Sequence, residues 1–149
     1  MFKYAFIEEV GGATPENYSF TYENKESFSM VAGVSSMEIA AELVKKLDSE
    51  GYDLIDMCGA FDDEKVGELL KLRKSEMRIL HVNYFPEEEK KLDALDSLKE
   101  YGVIAVMRGV EETQEFELRN EDCNTYVRFT KDLVAAREAA KKLVEEKGV

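Results

Sequence analysis

Strand-like and helix-like segments alternate along the first hundred residues, and this alternation limits the chain to few architectures. Apolar runs typical of strands lie at 2–10, 28–34, 53–60 and 77–85, and the last three are separated by segments with apolar residues at three- and four-residue spacing. Strands that alternate with helices of this length indicate βαβ units, in which parallel strands lie side by side under their helices. The sequence therefore predicts an α/β fold with a mainly parallel or mixed sheet and helices on its faces.

Capping residues mark the predicted helix starts. A serine three residues before Glu38 predicts a capping box for a helix over 36–50, and Asp62 can cap a helix over 63–74. A third helix is predicted from Pro86, because proline fits the first helical turn. The inward face of this third helix consists of Leu92, Leu95 and Leu98.

The tail of the chain predicts three further strands and a helix, in the same strand-strand-strand-helix order as the first 50 residues. A shift of 96 residues places 19–47 on 115–143 without a gap, and Phe20 falls on Phe116. One interpretation is a truncated internal repeat; the other is that two helices rich in Ala, Lys, Glu and Leu resemble each other by composition. The predicted units are an α/β domain over 1–101 and a β-β-β-α extension over 102–149, packed on the first.

Charge and cysteine content restrict the partners and the compartment. A formal net charge of −12 disfavours binding to nucleic acid or to an anionic membrane surface, because such binding depends on cations. No apolar run approaches the length of a membrane span or of a signal-peptide core. The two cysteines, Cys58 and Cys123, have no disulfide or zinc spacing, so a cytoplasmic location with reduced thiols is predicted. The single histidine has no HxH or HExxH spacing, and no metal site is predicted.

The candidate site lies at the carboxyl ends of the predicted strands, where open parallel sheets bind ligands. The predicted ligand-binding residues at these ends are Glu8, Cys58, Gly59, His81 and Asn83. A thiol before a helix N-terminus can have a depressed pKa, so Cys58 and His81 are also candidate catalytic residues, as nucleophile and base. The plainer interpretation is that Cys58 is a small buried hydrophobic residue. No GxGxxG, GxxxxGK[ST] or GxSxG motif is present, and no cofactor is indicated.

Three functions follow from these observations and stay open at this stage. The first is a small-molecule binding or regulatory protein, a homodimer, with a pocket at the strand carboxyl ends. The second is an enzyme that uses Cys58 as nucleophile and His81 as base. The third is a structural or oligomerisation protein, in which the truncated second unit pairs two chains to cover its apolar faces.

Three segments of the first half resemble a family of small bacterial proteins that is known only as a domain of unknown function. The segments are Lys3-Tyr4-Ala5-Phe6-Ile7 with Gly12-Ala13-Thr14-Pro15-Glu16, Val31-Ala32-Gly33-Val34, and Asp53-Leu54-Ile55-Asp56-Met57-Cys58-Gly59-Ala60-Phe61. The resemblance covers about residues 2–84, and the Cys-Gly-x-Phe corner is its most specific part. It implies a bacterial source, an α/β fold and a role for the Cys58 corner, and it implies no reaction.

Overall fold

Two β-sheets lie face to face in the middle of the molecule. The computed structural model describes residues 1–87 and 99–149. The first sheet has five strands in the order β2-β3-β1-β4-β5, and all are parallel except β2, which runs antiparallel to β3. These strands are β1 (Phe2–Glu9), β2 (Ser19–Glu23), β3 (Ser27–Val34), β4 (Leu54–Met57) and β5 (Arg78–His81). The predicted α/β class with a mixed sheet is confirmed.

Two helices cover one face of this sheet. Helix α1 (Met37–Ser49) begins at Ser36, whose Oγ accepts a hydrogen bond from the backbone N–H of Ile39. The predicted capping box, which began one residue earlier, is therefore displaced by one position. Helix α2 (Asp63–Leu70) begins at Asp62 as predicted and ends four residues early. Most of the helix predicted from Pro86, including Leu92, Leu95 and Leu98, lies outside the described residues.

The tail forms a second, three-stranded sheet with a helix on its outer face. Its strands are β6 (Glu100–Val106), β7 (Gln114–Arg119) and β8 (Asn124–Thr130), in the order β6-β8-β7, and its helix is α3 (Leu133–Lys147). Asp132 caps α3 by accepting a hydrogen bond from the backbone N–H of Ala135. Within the described ranges, no helix is long and apolar enough to cross a membrane.

The two sheets repeat one pairing scheme. Strand β1 pairs in parallel with β3 while β2 pairs antiparallel with it, and β6, β8 and β7 pair in the same way. In the two hairpins Phe20 faces Val31 and Phe116 faces Val127, so the hairpin registers coincide under the shift of 96 residues. The shared scheme agrees with a repeat, but a common origin of the two units stays a prediction.

The two sheets bury an apolar layer between them, which we call the inter-sheet core. The ring centroids of Phe20 and Phe116 lie 4.3 Å apart in a stacked arrangement, and Phe129 contacts both rings. Aromatic pairs of this kind add to the stabilisation that burial alone gives. The first sheet thus covers the inner face of the tail within one chain. The predicted boundary between 101 and 102 is not tested by this arrangement.

Candidate functional site

A cavity of about 280 Å³ opens between the two sheets, where β1 and β4 end. We call it the carboxyl-end cavity. Four segments of the chain line it: Phe6, Glu8, Glu9 and Val10 from β1 and its end; residues 58–60 from the corner after β4; Val82 and Tyr84 after β5; and Tyr101, Gly102 and Val103 from β6. Glu8 and Val10 are the two buried lining residues, and they form its floor.

Strand alternation places Glu8 on the inner face of the first sheet. Ala5 and Ile7 point towards the helices, so Phe6 and Glu8 point towards the second sheet. Glu8 lies beside Gly33, and a side chain at Gly33 would come within 2.6 Å of the Tyr18 ring. The missing side chain at position 33 therefore lets the Tyr18 ring pack close to β3, the neighbour of the strand that carries the glutamate.

A chain of hydroxyl groups connects Tyr18 to the Glu8 carboxyl. The Tyr18 hydroxyl donates to Thr125 Oγ1 at 3.0 Å, and the Thr125 hydroxyl donates to Glu8 Oε2 at 3.1 Å. Glu8 is 6% exposed, and its Oε1 is buried without a hydrogen-bond partner among the described residues. Buried polar atoms are nearly always paired, so an unpaired carboxyl oxygen beside a cavity needs an explanation.

The environment of Glu8 disfavours its charged form. Burial raises the pKa of its carboxyl to about 7, although the hydrogen bond from Thr125 acts in the opposite direction. Near neutral pH both the protonated and the ionised forms are therefore populated. A carboxyl group with a strongly raised pKa beside a cavity is a candidate functional group.

The thiol of Cys58 lies in the same cavity, in surroundings that disfavour its thiolate form. Its Sγ accepts a hydrogen bond from the backbone N–H of Glu9 at 3.3 Å. Burial raises the pKa of the Cys58 thiol, and the charges of Glu8 and Glu9 raise it further. The expectation of a depressed pKa at this position is wrong, because burial and the neighbouring carboxyl groups outweigh the backbone hydrogen bonds from Glu9 and Ala60, which act in the opposite direction.

His81 does not line this cavity. It pairs with Met57, which points into the core under the helices, so its side chain lies on the helix side of the sheet. There its Nε2 lies 2.9 Å from Asp63 Oδ1 at the start of α2. Cys58 lies just after β4, where its Sγ accepts the hydrogen bond of the Glu9 backbone N–H and its side chain lines the carboxyl-end cavity. The structure therefore does not bring together the predicted Cys58–His81 pair, although the two strand ends are neighbours.

Three of the five predicted ligand-binding residues, Glu8, Cys58 and Gly59, line one cavity, whereas His81 and Asn83 do not. Gly59 lets the Tyr84 ring lie close to the corner after β4, because a side chain at position 59 would displace this ring. Burial raises the pKa of the Tyr84 hydroxyl, and the neighbouring Cys58 adds to the shift.

Sequence reasoning missed the aromatic and hydroxyl groups around Glu8. Tyr84 lies at the end of the last predicted strand of the first unit, 77–85, and its position near the candidate residues was a usable signal. Tyr101, which lines the cavity, and Tyr18 and Thr125, which are hydrogen-bonded in a chain to Glu8, gave no such signal, because this arrangement depends on the packing of the second sheet on the first. Within residues 1–87 and 99–149, no group of His, Cys, Asp and Glu has an arrangement that could hold a metal ion.

A second cavity, of about 290 Å³, lies where β1 begins, and we call it the amino-end cavity. It is lined by Phe2, Tyr4, Leu54, Ala105, Val106, Met107 and Arg108. None of these lining residues carries a carboxyl group. The two cavities are thus similar in size, but the described lining of the carboxyl-end cavity includes carboxyl groups and that of the amino-end cavity does not.

Residues 2–97 match a family of unknown function, DUF6506. The chain belongs to this family. The match confirms the resemblance found in the sequence and extends it beyond residue 84. Searches of curated proteins and of solved structures found no match.

The DUF6506 match includes some walls of the carboxyl-end cavity and leaves out others. Glu8, Gly59 and Tyr84 lie within the matched residues. Tyr101 and Thr125, from the second sheet, lie beyond the match. The environment of Glu8 is therefore completed by a part of the chain that the family does not cover.

Proposed function

We propose that this protein binds a small molecule in the carboxyl-end cavity, with the Glu8 carboxyl as its polar anchor. The observation that carries the proposal is the free Oε1 of a carboxyl group that is only 6% exposed and lines the cavity. A ligand atom that donates a hydrogen bond to this oxygen would compensate for the cost of burying it.

The cavity has the composition of a small ligand site. Such sites are concave and mostly apolar, with a few placed polar groups, and 280 Å³ is just below their usual range of about 300–1,000 Å³. Its apolar and aromatic lining comes from both sheets, including Phe6, Tyr84 and Val103. This composition favours a ligand with a short apolar body and one polar group.

A comparison of the two units indicates that the carboxyl group at position 8 serves a function and is not needed for packing. In the first sheet, Glu8 on β1 pairs with Gly33 on β3. The shift of 96 residues places Gly33 on Phe129, and Phe129 on β8 pairs with Ala105 on β6. Alanine therefore occupies the position of Glu8 in the second unit. We propose that both units derive from one ancestral β-β-β-α unit, in which packing alone does not require a carboxyl group at this position.

The other expectations receive no specific support from the geometry. An enzyme that uses Cys58 and His81 stays a hypothesis, because the two side chains have separate partners. The homodimer, the cytoplasmic location and the bacterial source also stay predictions.

A thermal-shift screen of a small-fragment library against the full chain tests the proposal. Ala60 is exposed at the cavity, so Ala60→Leu should obstruct it with little effect on folding. Ala135→Leu is the matched control, because Ala135 lines a different cavity beside α3. We expect fragments that raise the melting temperature of the wild type and of Ala135→Leu but not of Ala60→Leu. A screen in which no fragment separates these variants would contradict the proposal.

A further inference from the structure

We infer that the ligand of the carboxyl-end cavity is a small cation, a protonated amine on an otherwise apolar body, whose ammonium group binds the free oxygen of Glu8. This inference rests on the proposed function and names the chemical class of the ligand. It commits to a positively charged ligand rather than to a neutral donor or an anion.

The charges around the cavity favour a cation. Its described lining includes the carboxyl groups of Glu8 and Glu9 and no lysine, arginine or histidine. Glu9 already has a cationic partner, because its Oε2 lies 3.2 Å from Lys65 Nζ. Glu8 has only the Thr125 hydroxyl, so a cationic ligand would supply the charge that this buried carboxyl lacks. An anionic ligand would meet the two carboxyl groups of the lining, and the nearby Lys65 ammonium is already paired with Glu9.

The aromatic residues of the cavity suit the same ligand. Tyr84 and Tyr101 are about half exposed, and both line the cavity. Aromatic ring faces attract ammonium groups, and the attraction grows when the cation leaves water. An ammonium group that passes these rings towards Glu8 would meet favourable contacts along its path, whereas a carboxylate would not.

Ligand binding should then depend on the ionisation of Glu8. The other titratable groups that face this carboxyl are Tyr18, Cys58, Tyr84, Tyr101, Cys123 and Glu9. Burial raises the pKa of the Cys58 and Cys123 thiols and of the Tyr18 hydroxyl, so these three groups stay neutral near pH 7. A cation prefers the ionised carboxylate, so its affinity should rise with pH through about 7 and then level off.

Three probes of similar shape test the inference on the full chain: benzylamine, benzyl alcohol and benzoate. Chemical-shift titrations would follow the backbone amides of Gly59 and Gly102, which line the cavity. At pH 8 we expect benzylamine to bind at least about tenfold more tightly than benzyl alcohol, because a charge-assisted hydrogen bond replaces a neutral one. Benzoate should bind most weakly, and the advantage of benzylamine should shrink at pH 5.5.

Two variants separate the charge of Glu8 from the shape of the cavity. Glu8→Gln should remove the preference for benzylamine while benzyl alcohol still binds, and the exposed Glu23→Gln on β2 should behave as wild type. Should benzyl alcohol or benzoate bind the wild type as tightly as benzylamine, the cationic ligand is ruled out while cavity binding stands. The absence of any shift from all three probes, together with a fragment screen without hits, overturns the proposed function itself. If the glutamine variant fails to fold, the pH dependence of benzylamine binding to the wild type decides.

Discussion

The carboxyl-end and amino-end cavities occupy opposite ends of the inter-sheet core, and they differ in one decisive position. Both are close to 300 Å³, and each lies where β1 and β6 face each other. One is lined by the buried carboxyl of Glu8; at the equivalent strand position the other has the methyl group of Ala105. Two sheets of this topology therefore leave gaps of this size through packing alone. The candidate site is therefore identified by the buried carboxyl group of Glu8 and not by the presence of a cavity.

A second difference concerns how each unit fills the core next to that position. Gly33 leaves room for the Tyr18 ring, while its counterpart Phe129 fills the space with its own ring. The first unit thus adds the Tyr18 hydroxyl, which donates to Thr125, whereas the second unit has the apolar ring of Phe129 at the equivalent place.

The largest effect should come from removing the ring that fills the inter-sheet core. Phe129 is 1% exposed and contacts Phe20, Tyr22 and Phe116. Phe129→Ala should lower the free energy of unfolding by about 3–5 kcal/mol, because it removes buried surface and leaves a cavity. Urea denaturation measures this loss.

The control for this change is Phe85→Ala, since Phe85 is 76% exposed. It should change the free energy of unfolding by no more than about 0.5 kcal/mol. Equal losses in the two variants would show that the inter-sheet core does not hold the sheets together.

The second effect is a dependence of stability on pH that Glu8 causes. The folded pKa of about 7 lies above the ordinary value of 4.5, so folding favours the protonated carboxyl. This contribution is fully present below about pH 4.5 and is lost as the pH rises through about 7. The loss should amount to about 3 kcal/mol by pH 8.

The wild type and Glu8→Gln should be compared by urea denaturation between pH 4.5 and pH 8. The difference between them isolates Glu8 from the repulsion among the other acidic residues, and Glu23→Gln controls for the loss of one carboxyl group. Parallel stability curves for the wild type and Glu8→Gln would mean that Glu8 is not held in its protonated form by the fold.

The smallest effect should come from the hydroxyl group that the second unit donates to Glu8. Thr125→Val removes the hydrogen bond to Oε2, which holds the pKa of Glu8 down, so this pKa should rise. The stability cost should be about 1–3 kcal/mol, since the carboxyl then has no partner in the protein.

Thr130→Val is the matched control for this variant. Thr130 lies on the same strand and is as fully buried, but its hydroxyl donates to the carbonyl of Ala105. It should lower stability without moving the pKa of Glu8. A similar pKa change in both threonine variants would count against a direct bond between the two units.

Much of the fold could be predicted from the sequence because the strands and helix starts depend on local residue patterns. The apolar runs gave the strands of the first sheet, Asp62 gave a helix start, and the 96-residue shift agrees with the register of both hairpins. The packing of one sheet on the other could not be read in this way. This packing depends on contacts between residues about one hundred positions apart in the sequence, such as Phe20 with Phe116.

The candidate site was predicted in part for the same reason. Strand ends placed Glu8, Cys58 and Gly59 together, because neighbouring parallel strands end at one edge. The failure lay in side-chain contacts, since His81 pairs with Asp63 at the start of α2, whereas Cys58 accepts its hydrogen bond from Glu9. The partner of Glu8, Thr125, is 117 residues away in sequence, and no local pattern connects the two.

A measurement of the pKa of the Glu8 carboxyl tests the proposed anchor of the carboxyl-end cavity most directly. This pKa can be measured in the full-length wild type by following the side-chain carboxyl ¹³C shift with pH, and Glu8→Gln assigns the signal. We predict a value of about 7, caused by burial without a second hydrogen-bond partner. A value near the ordinary 4.5 would show that this carboxyl is solvated or fully paired, and it would contradict the proposed anchor of the site.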